Sequence, residues 1–235
     1  MAKDSDFLPI ILIPGLNCSP RLYEEQVPVL WELGQVTVAD HRHDETVAVI
    51  AKSILDAAPK RFRLAGLSMG GYISLEIMRQ APERVAKLAL LDTSARPETS
   101  KQTERRKKLM TLAELERLVE INDVLWPDLV HKSKIADTTL RASVDKMAYE
   151  TGAKAFIRQQ KAIIGRADSR PLRAAIECPT LIIVGDSDQL TPPTHAKEIA
   201  DGIRNARFET IARCGHMSTM EEPHQVTTLL MDFFI

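Results

Sequence analysis

Six short apolar runs punctuate the chain, at Ile10–Ile13, Val36–Ala39, Phe62–Ala65, Leu88–Leu91, Leu181–Val184 and Phe208–Ile211. Runs of this length, bounded by turn formers, read as strands covered on both sides. Helix-forming stretches separate them. That alternation predicts an α/β protein with a mostly parallel sheet of about six strands and helices on both faces. One region breaks the rhythm: from about residue 101 to residue 173 the chain is polar and helix-forming, with no strand-like run. There Leu109, Leu112, Leu115 and Leu118 keep a helical spacing. The prediction is a helical insertion, 101–173, within a single domain spanning 1–235.

The third run leads into Gly66-Leu67-Ser68-Met69-Gly70-Gly71 and then into a helix-like stretch through Ile73, Leu75, Ile77 and Met78 that stops near Ala81-Pro82. Gly-x-Ser-x-Gly at a strand-to-helix junction is the pattern of a nucleophile elbow. The turn is so sharp that bulk two residues either side of the serine has no room. Ser68 is thereby presented at a helix N-terminus. A serine attacks only when a base takes its proton, so the motif requires a histidine and an orienting carboxylate elsewhere. The loop after the fifth run, Gly185-Asp186-Ser187-Asp188-Gln189-Leu190-Thr191-Pro192, carries acid candidates. After the sixth run, Cys214-Gly215-His216-Met217 offers the base. The chain order is Ser, Asp, His.

With Ile10–Leu16 including Pro14-Gly15, then Gly66–Gly71, Gly185–Asp188 and Gly215-His216, the chain resembles the α/β-hydrolase family over nearly its whole length. The resemblance implies that Ser68 is the nucleophile, His216 the general base, and Asp188, third after its glycine, the acid. It also implies an oxyanion hole made from the backbone N–H groups of Leu16 and Met69, and it makes the insertion a cap over the site. The implied activity is that of a serine hydrolase acting on a carboxylic ester, thioester or lactone of a small or medium-sized molecule, with no cofactor. Lyases, carbon–carbon bond hydrolases and acyltransferases of this fold use the same triad, and some receptors keep it as ligand sensors with little turnover. Many members have His-Gly where this chain has Pro14-Gly15, so the hydrogen bonding a local histidine would supply is expected to be missing. The antiparallel strands that open many members are also expected to be missing, since only nine residues precede the first run.

Composition narrows the partners. A chain of 235 residues with 44% hydrophobic content can bury one large core. A net charge of -1 gives no reason to expect nucleic acid or an anionic membrane as partner. The start, Met1-Ala2-Lys3-Asp4-Ser5-Asp6, lacks the apolar core of a signal peptide, and no run approaches membrane-spanning length. A cytoplasmic protein is expected. Cys18, Cys178 and Cys214 cannot all pair with one another and lack metal-like spacing, so no metal is expected. Nothing in the sequence bears on oligomeric state.

Several residues compete for roles. Asp186 shares the loop of Asp188, and Asp92 ends the fourth run, where some family members carry their acid. His41, His43, His131, His195 and His224 lack the Gly-His setting of His216. The cluster His41-Arg42-His43-Asp44 resembles a metal-ligand fragment, but without matching distant ligands it reads as a solvated loop. Arg105-Arg106-Lys107-Lys108, flanked by Glu104, Glu114 and Glu116, reads as a solvated helix face. Trp126 and Phe156 either line an acyl pocket or pack the insertion, and Leu190 and Met217, beside the acid and the base, are further wall candidates. Arg158-Gln159-Gln160 is a candidate for orienting a substrate carboxylate or amide.

Overall fold

The computed structural model describes residues 8–235, so the expectation drawn from Met1–Asp6 lies outside the described residues. Six strands form one sheet: β1 (Ile10–Ile13), β2 (Val36–Val38), β3 (Phe62–Leu67), β4 (Val85–Leu91), β5 (Thr180–Gly185) and β6 (Ala206–Ile211). Their order is β2-β1-β3-β4-β5-β6, and every neighbouring pair is parallel. The helices are α1 (Gln26–Leu30), α2 (Val47–Ala57), α3 (Met69–Gln80), α4 (Ser100–Glu114), α5 (Leu118–Leu129), α6 (Thr138–Thr151), α7 (Ala153–Ile164), α8 (Pro193–Asp201), α9 (Ser218–Glu221) and α10 (Pro223–Phe234). None of the described helices is long and apolar enough to cross a membrane.

Side-chain alternation along the strands builds two cores from one sheet. Ile11, Ile13, Leu64, Leu90 and Ile182 pack with residues of α2, α3 and α8, while Ile10, Leu12, Ala65, Leu91 and Ile183 pack with residues of α1 and α10. Burying each large aliphatic side chain contributes roughly 1.5–3 kcal/mol, which is why these runs show no polar alternation. The chain steps from β1 outward to β2, then returns to set β3 on the opposite edge of β1. A reversal of this kind opens a crevice outside the carboxyl ends of the two strands, and Pro14–Asn17 and Ser68 emerge into it.

Between β4 and β5 the chain runs through α4, α5, α6 and α7. A capping box starts α4, with Thr99 and Gln102 each bonding the other's backbone N–H. The leucine ladder Leu109–Leu118 does not form one helix, contrary to expectation. Helix α4 ends at Glu114, Glu116 sits at φ 57°, and Leu115 is 61% exposed. A strict three-residue spacing falls short of a full helical turn by about 60° per step, so the ladder walks off any one face. Two helices meeting at a turn instead bring Leu109, Leu112 and Leu118 to one cluster with Phe156.

Candidate active site

The elbow at the end of β3 is enforced by close backbone approach. A Cβ on Gly66 would strike the Gly70 carbonyl, and one on Gly70 would lie 2.7 Å from the Ile13 carbonyl carbon. Ser68 itself has φ 54° and ψ -113°, a conformation costing about 1–3 kcal/mol in a residue with a side chain. The strain is held in place by bonds on both sides: Ser68 N donates to Leu91 O at 2.9 Å, and Ser68 O accepts from Gly71 N at 2.9 Å and Thr93 Oγ1 at 2.8 Å.

The Ser68 Oγ that results lies 2.8 Å from His216 Nε2, and His216 Nδ1 lies 2.8 Å from Asp188 Oδ2. Three loops, leaving β3, β5 and β6, thus bring together the three residues named from the sequence. Asp188 is buried, and its oxygens also accept from Leu190 N, Thr191 N and Thr191 Oγ1. Burial works against the charged forms of both partners, but their mutual attraction outweighs it: the His216 pKa is raised and the Asp188 pKa lowered. Asp186, the nearest rival, instead accepts from Arg213 N and Cys214 N and shapes the turn before His216.

Met69 follows Ser68 in the chain, and Gly15, which precedes Leu16, approaches Ser68 from the loop after β1. Met69 is the first residue of α3, where an N–H has no partner within the helix. Among the described residues neither the Leu16 nor the Met69 N–H has a hydrogen-bond acceptor. A Cβ on Gly15 would sit 3.5 Å from Ser68 Cβ, so the Gly15–Leu16 segment runs against the serine. N–H groups without acceptors, if they face a serine hydroxyl, are suited to receive a developing negative charge.

Two further carboxyls, Glu221 and Asp92, are buried near Ser68, Asp188 and His216. Glu221 Oε1 accepts from Gly215 N at 2.9 Å and Met217 N at 3.2 Å, the residues on either side of His216, while its Oε2 accepts from His131 N at 2.7 Å. His216 N donates to Leu129 O at 2.9 Å. His216 is therefore clamped to the end of α5. Asp92, at the end of β4, does not bond His216. Its Oδ1 accepts from Gly185 N at 3.0 Å and its Oδ2 bonds Ser218 Oγ.

Complete burial and the nearby Asp188 charge push the Asp92 pKa up to about 8. The folded state therefore holds this proton across a range in which the unfolded chain, at the ordinary carboxylate value, has released it. Stability is full below the unfolded value of about 3.9 and is lost as pH rises toward 8. Asp92→Asn, which offers the same acceptor to Gly185 and a donor to Ser218, should escape that loss. The melting temperature of Asp92→Asn minus that of the wild type is expected to grow between pH 5 and pH 9; a flat difference in calorimetry would refute the assignment.

His41 is not part of a solvated loop: it is 2% exposed, and its Nε2 lies 3.0 Å from Gly15 O. No histidine stands at position 14, and a histidine from the loop after β2 lies against the Gly15 carbonyl instead. Among the described residues His41 and His43 join no cluster able to hold a metal. In the basic run, Arg105 and Lys107 pair with Asp128 and Glu104 at the surface, but Arg106 turns inward to the buried Glu98 and to Gln160. Arg158 donates to Arg42 O, Gln159 accepts from Asn17 N, and Gln160 accepts from Arg106, so all three are engaged in internal bonds.

Of the wall candidates, Trp126 is buried, with its indole N–H donated to Ile135 O, and Phe156 is fully buried beneath Leu16 and Leu112. Met217 is also buried, whereas Leu190 is half-buried. Leu125 and Ile157, half-buried in the cluster that contains Leu16, carried no sequence signal beyond being apolar. A small cavity of about 10 Å³ beside Tyr72 and Arg166 and an open cleft of about 430 Å³ beside Arg173 and Lys197 include no triad residue in their walls.

Comparison with known proteins agrees with this architecture. Residues 13–223 match the sequence profile of the alpha/beta hydrolase fold. The chain is 29% identical over 211 residues to a Mycobacterium tuberculosis (strain H37Rv) protein whose name, non-heme bromoperoxidase BpoC, is itself provisional; the match covers 85% of this chain and 74% of that one. It is 28% identical over 200 residues to 2-hydroxymuconate semialdehyde hydrolase of Pseudomonas sp. (strain CF600), covering 83% and 70%. The solved structure of a thermophilic esterase from Thermogutta terrifontis, with malate bound, superposes with a TM-score of 0.86 at 26% identity, covering 96% of this chain and 88% of that one. By profile, sheet order and strand-end loops together, the chain belongs to the α/β-hydrolase fold family.

Proposed function

We propose that the protein is a serine hydrolase that cleaves a carboxylic ester, thioester or lactone of a small or medium-sized molecule through an acyl-enzyme on Ser68. The observation that carries this reading is the relay of 2.8 Å contacts from Ser68 Oγ to His216 to Asp188, next to two N–H groups without acceptors. Ser68 Oγ attacks the carbonyl carbon while His216 Nε2 takes its proton. The Leu16 and Met69 N–H groups receive the charge that gathers on the carbonyl oxygen. His216 then protonates the leaving group and next activates the water that frees the acyl group. Asp188 keeps the His216 proton on Nδ1 and balances the imidazolium.

The likeness to the Thermogutta esterase favours an ester. A second reading rests on the 2-hydroxymuconate semialdehyde hydrolase relative: the same triad would then cleave a carbon–carbon bond next to a carbonyl. Helices α4–α7 act as the cap in either case. They reach the site through Gln159 and Asn122, bonded to Asn17, and through Leu129, bonded to His216. Leu125, Ile157 and Leu190, all half-buried, are the apolar side chains proposed to shape the acyl or alcohol pocket.

Aryl esters and acyl thioesters of graded chain length, a lactone and a vinylogous 1,5-diketone, assayed on wild type and Ser68→Ala, separate the readings. Ester turnover that Ser68→Ala abolishes supports the proposal. Turnover of the diketone alone supports the second reading, and turnover of nothing supports a ligand sensor. The pH profile adds an independent check. His216 must be neutral to accept a proton, and its pKa is raised above 6.5, so kcat/KM should fall as pH drops through a midpoint above 6.5. A midpoint well below that value would contradict the Asp188 pairing.

A further inference from the structure

A trans peptide unit is rigid and planar, with its C=O and N–H pointing in opposite directions. The Leu16 N–H shares its peptide with the Gly15 carbonyl, so whatever holds Gly15 O also aims Leu16 N–H. Gly15 O has two nitrogens within reach: His41 Nε2 at 3.0 Å and Cys18 N, which donates across a local turn, at 3.3 Å. The next peptide is held as well, since Asn17 N donates to Gln159 Oε1 at 3.0 Å and Leu16 O accepts from Cys18 Sγ at 3.4 Å. His41 and Gln159 are both at least 98% buried and come from the β2 loop and α7, far from the oxyanion loop in sequence.

We propose that His41 is a positioning residue for the reaction: its Nε2–H fixes the Gly15–Leu16 peptide with the Leu16 N–H facing the reacting centre, and Gln159 secures the following peptide. The proposal rests on the serine-hydrolase reading and adds a residue to it. A turned-over peptide would put the Gly15 carbonyl where the oxyanion must sit.

The tautomer of His41 decides which way the peptide is held. Burial pushes the His41 pKa down to about 4, so the ring is neutral at working pH and carries one proton. Gln159 Nε2 lies 3.1 Å from the same His41 Nε2 that faces Gly15 O. One ring nitrogen cannot donate to Gly15 O and accept from Gln159 together. With the proton on Nε2 the Gly15 bond is made; with it on Nδ1, Gly15 O faces a lone pair and loses its outside support. The proposal requires the first tautomer.

Three measurements test it: kcat and KM with an aryl ester, the affinity of a trifluoromethyl ketone, which binds as an oxyanion adduct, and the melting temperature. His41→Phe keeps a ring without a donor. It should lower kcat about 10- to 100-fold, part of the roughly 10²–10³ expected for losing one oxyanion donor outright. KM should change little and ketone affinity should fall in step with kcat. His41→Gln, whose amide N–H can reach Gly15 O, should recover most of the loss. A folded His41→Phe with wild-type kcat and ketone affinity overturns the proposal, as does a loss that His41→Gln fails to recover. Should His41→Phe not fold, imidazole nitrogen NMR on the wild-type protein decides: a proton on Nε2 of His41 supports the proposal and one on Nδ1 overturns it. Failure of the serine-hydrolase reading looks different, because the wild type would then turn over no ester and take no fluorophosphonate.

Discussion

Ser68→Ala is expected to lower ester turnover by up to about 10⁶-fold, the scale seen when a triad loses its nucleophile. The variant should still fold. Alanine keeps the Cβ, so the strained φ of 54° is neither relieved nor worsened, and the backbone bonds to Leu91, Gly71 and Thr93 do not involve the side chain. Only the contact to His216 Nε2 is lost. Turnover of the purified variant, measured beside circular dichroism and thermal unfolding, checks both halves of the expectation. Activity near wild type would remove Ser68 from the chemistry.

Asp188→Asn should lower turnover by about 10⁴-fold. An amide turned toward His216 Nδ1 would donate where the carboxylate accepts, leaving the ring proton on Nε2, facing Ser68. Asp186→Asn should cost far less, because Asp186 bonds the Arg213 and Cys214 amides rather than the imidazole. Asp92→Asn should also cost far less, because Asp92 bonds Gly185 and Ser218. Parallel kinetics on the three variants tests the ranking. A larger loss from Asp92→Asn would move the orienting acid to the end of β4.

The strands and the relay were legible because both are written locally. Each buried strand carries a contiguous apolar stretch, even where the strand also holds a polar residue such as Arg63 in β3, and Ser68, Asp188 and His216 sit in turns whose glycines mark strand ends. What stayed hidden depends on contacts between distant segments. His41 lies in a polar stretch with Arg42, His43 and Asp44, and only its Gly15 and Gln159 partners reveal that it is buried. Glu221 looks like a surface glutamate beside Glu222, yet it gathers the amides of His131, Gly215 and Met217. The break at Glu116 was concealed by leucine spacing: Leu109, Leu112 and Leu118 share a cluster while Leu115 is exposed, so the spacing shows neither which leucines pack together nor whether one helix carries them. Trp126 shows the same limit: the sequence reports a large ring, and only the bond from its indole N–H to Ile135 O shows that the ring's polar edge is engaged in the fold.

In the proposed reaction Ser68 carries the acyl group between its two halves. Acid quench during turnover of an aryl ester, followed by peptide mapping in the mass spectrometer, tests this most directly. One acyl group is expected on the peptide containing Ser68, and none in Ser68→Ala or His216→Ala. Hydrolysis that proceeds with no acyl group on Ser68, or with one on a different residue, would contradict it.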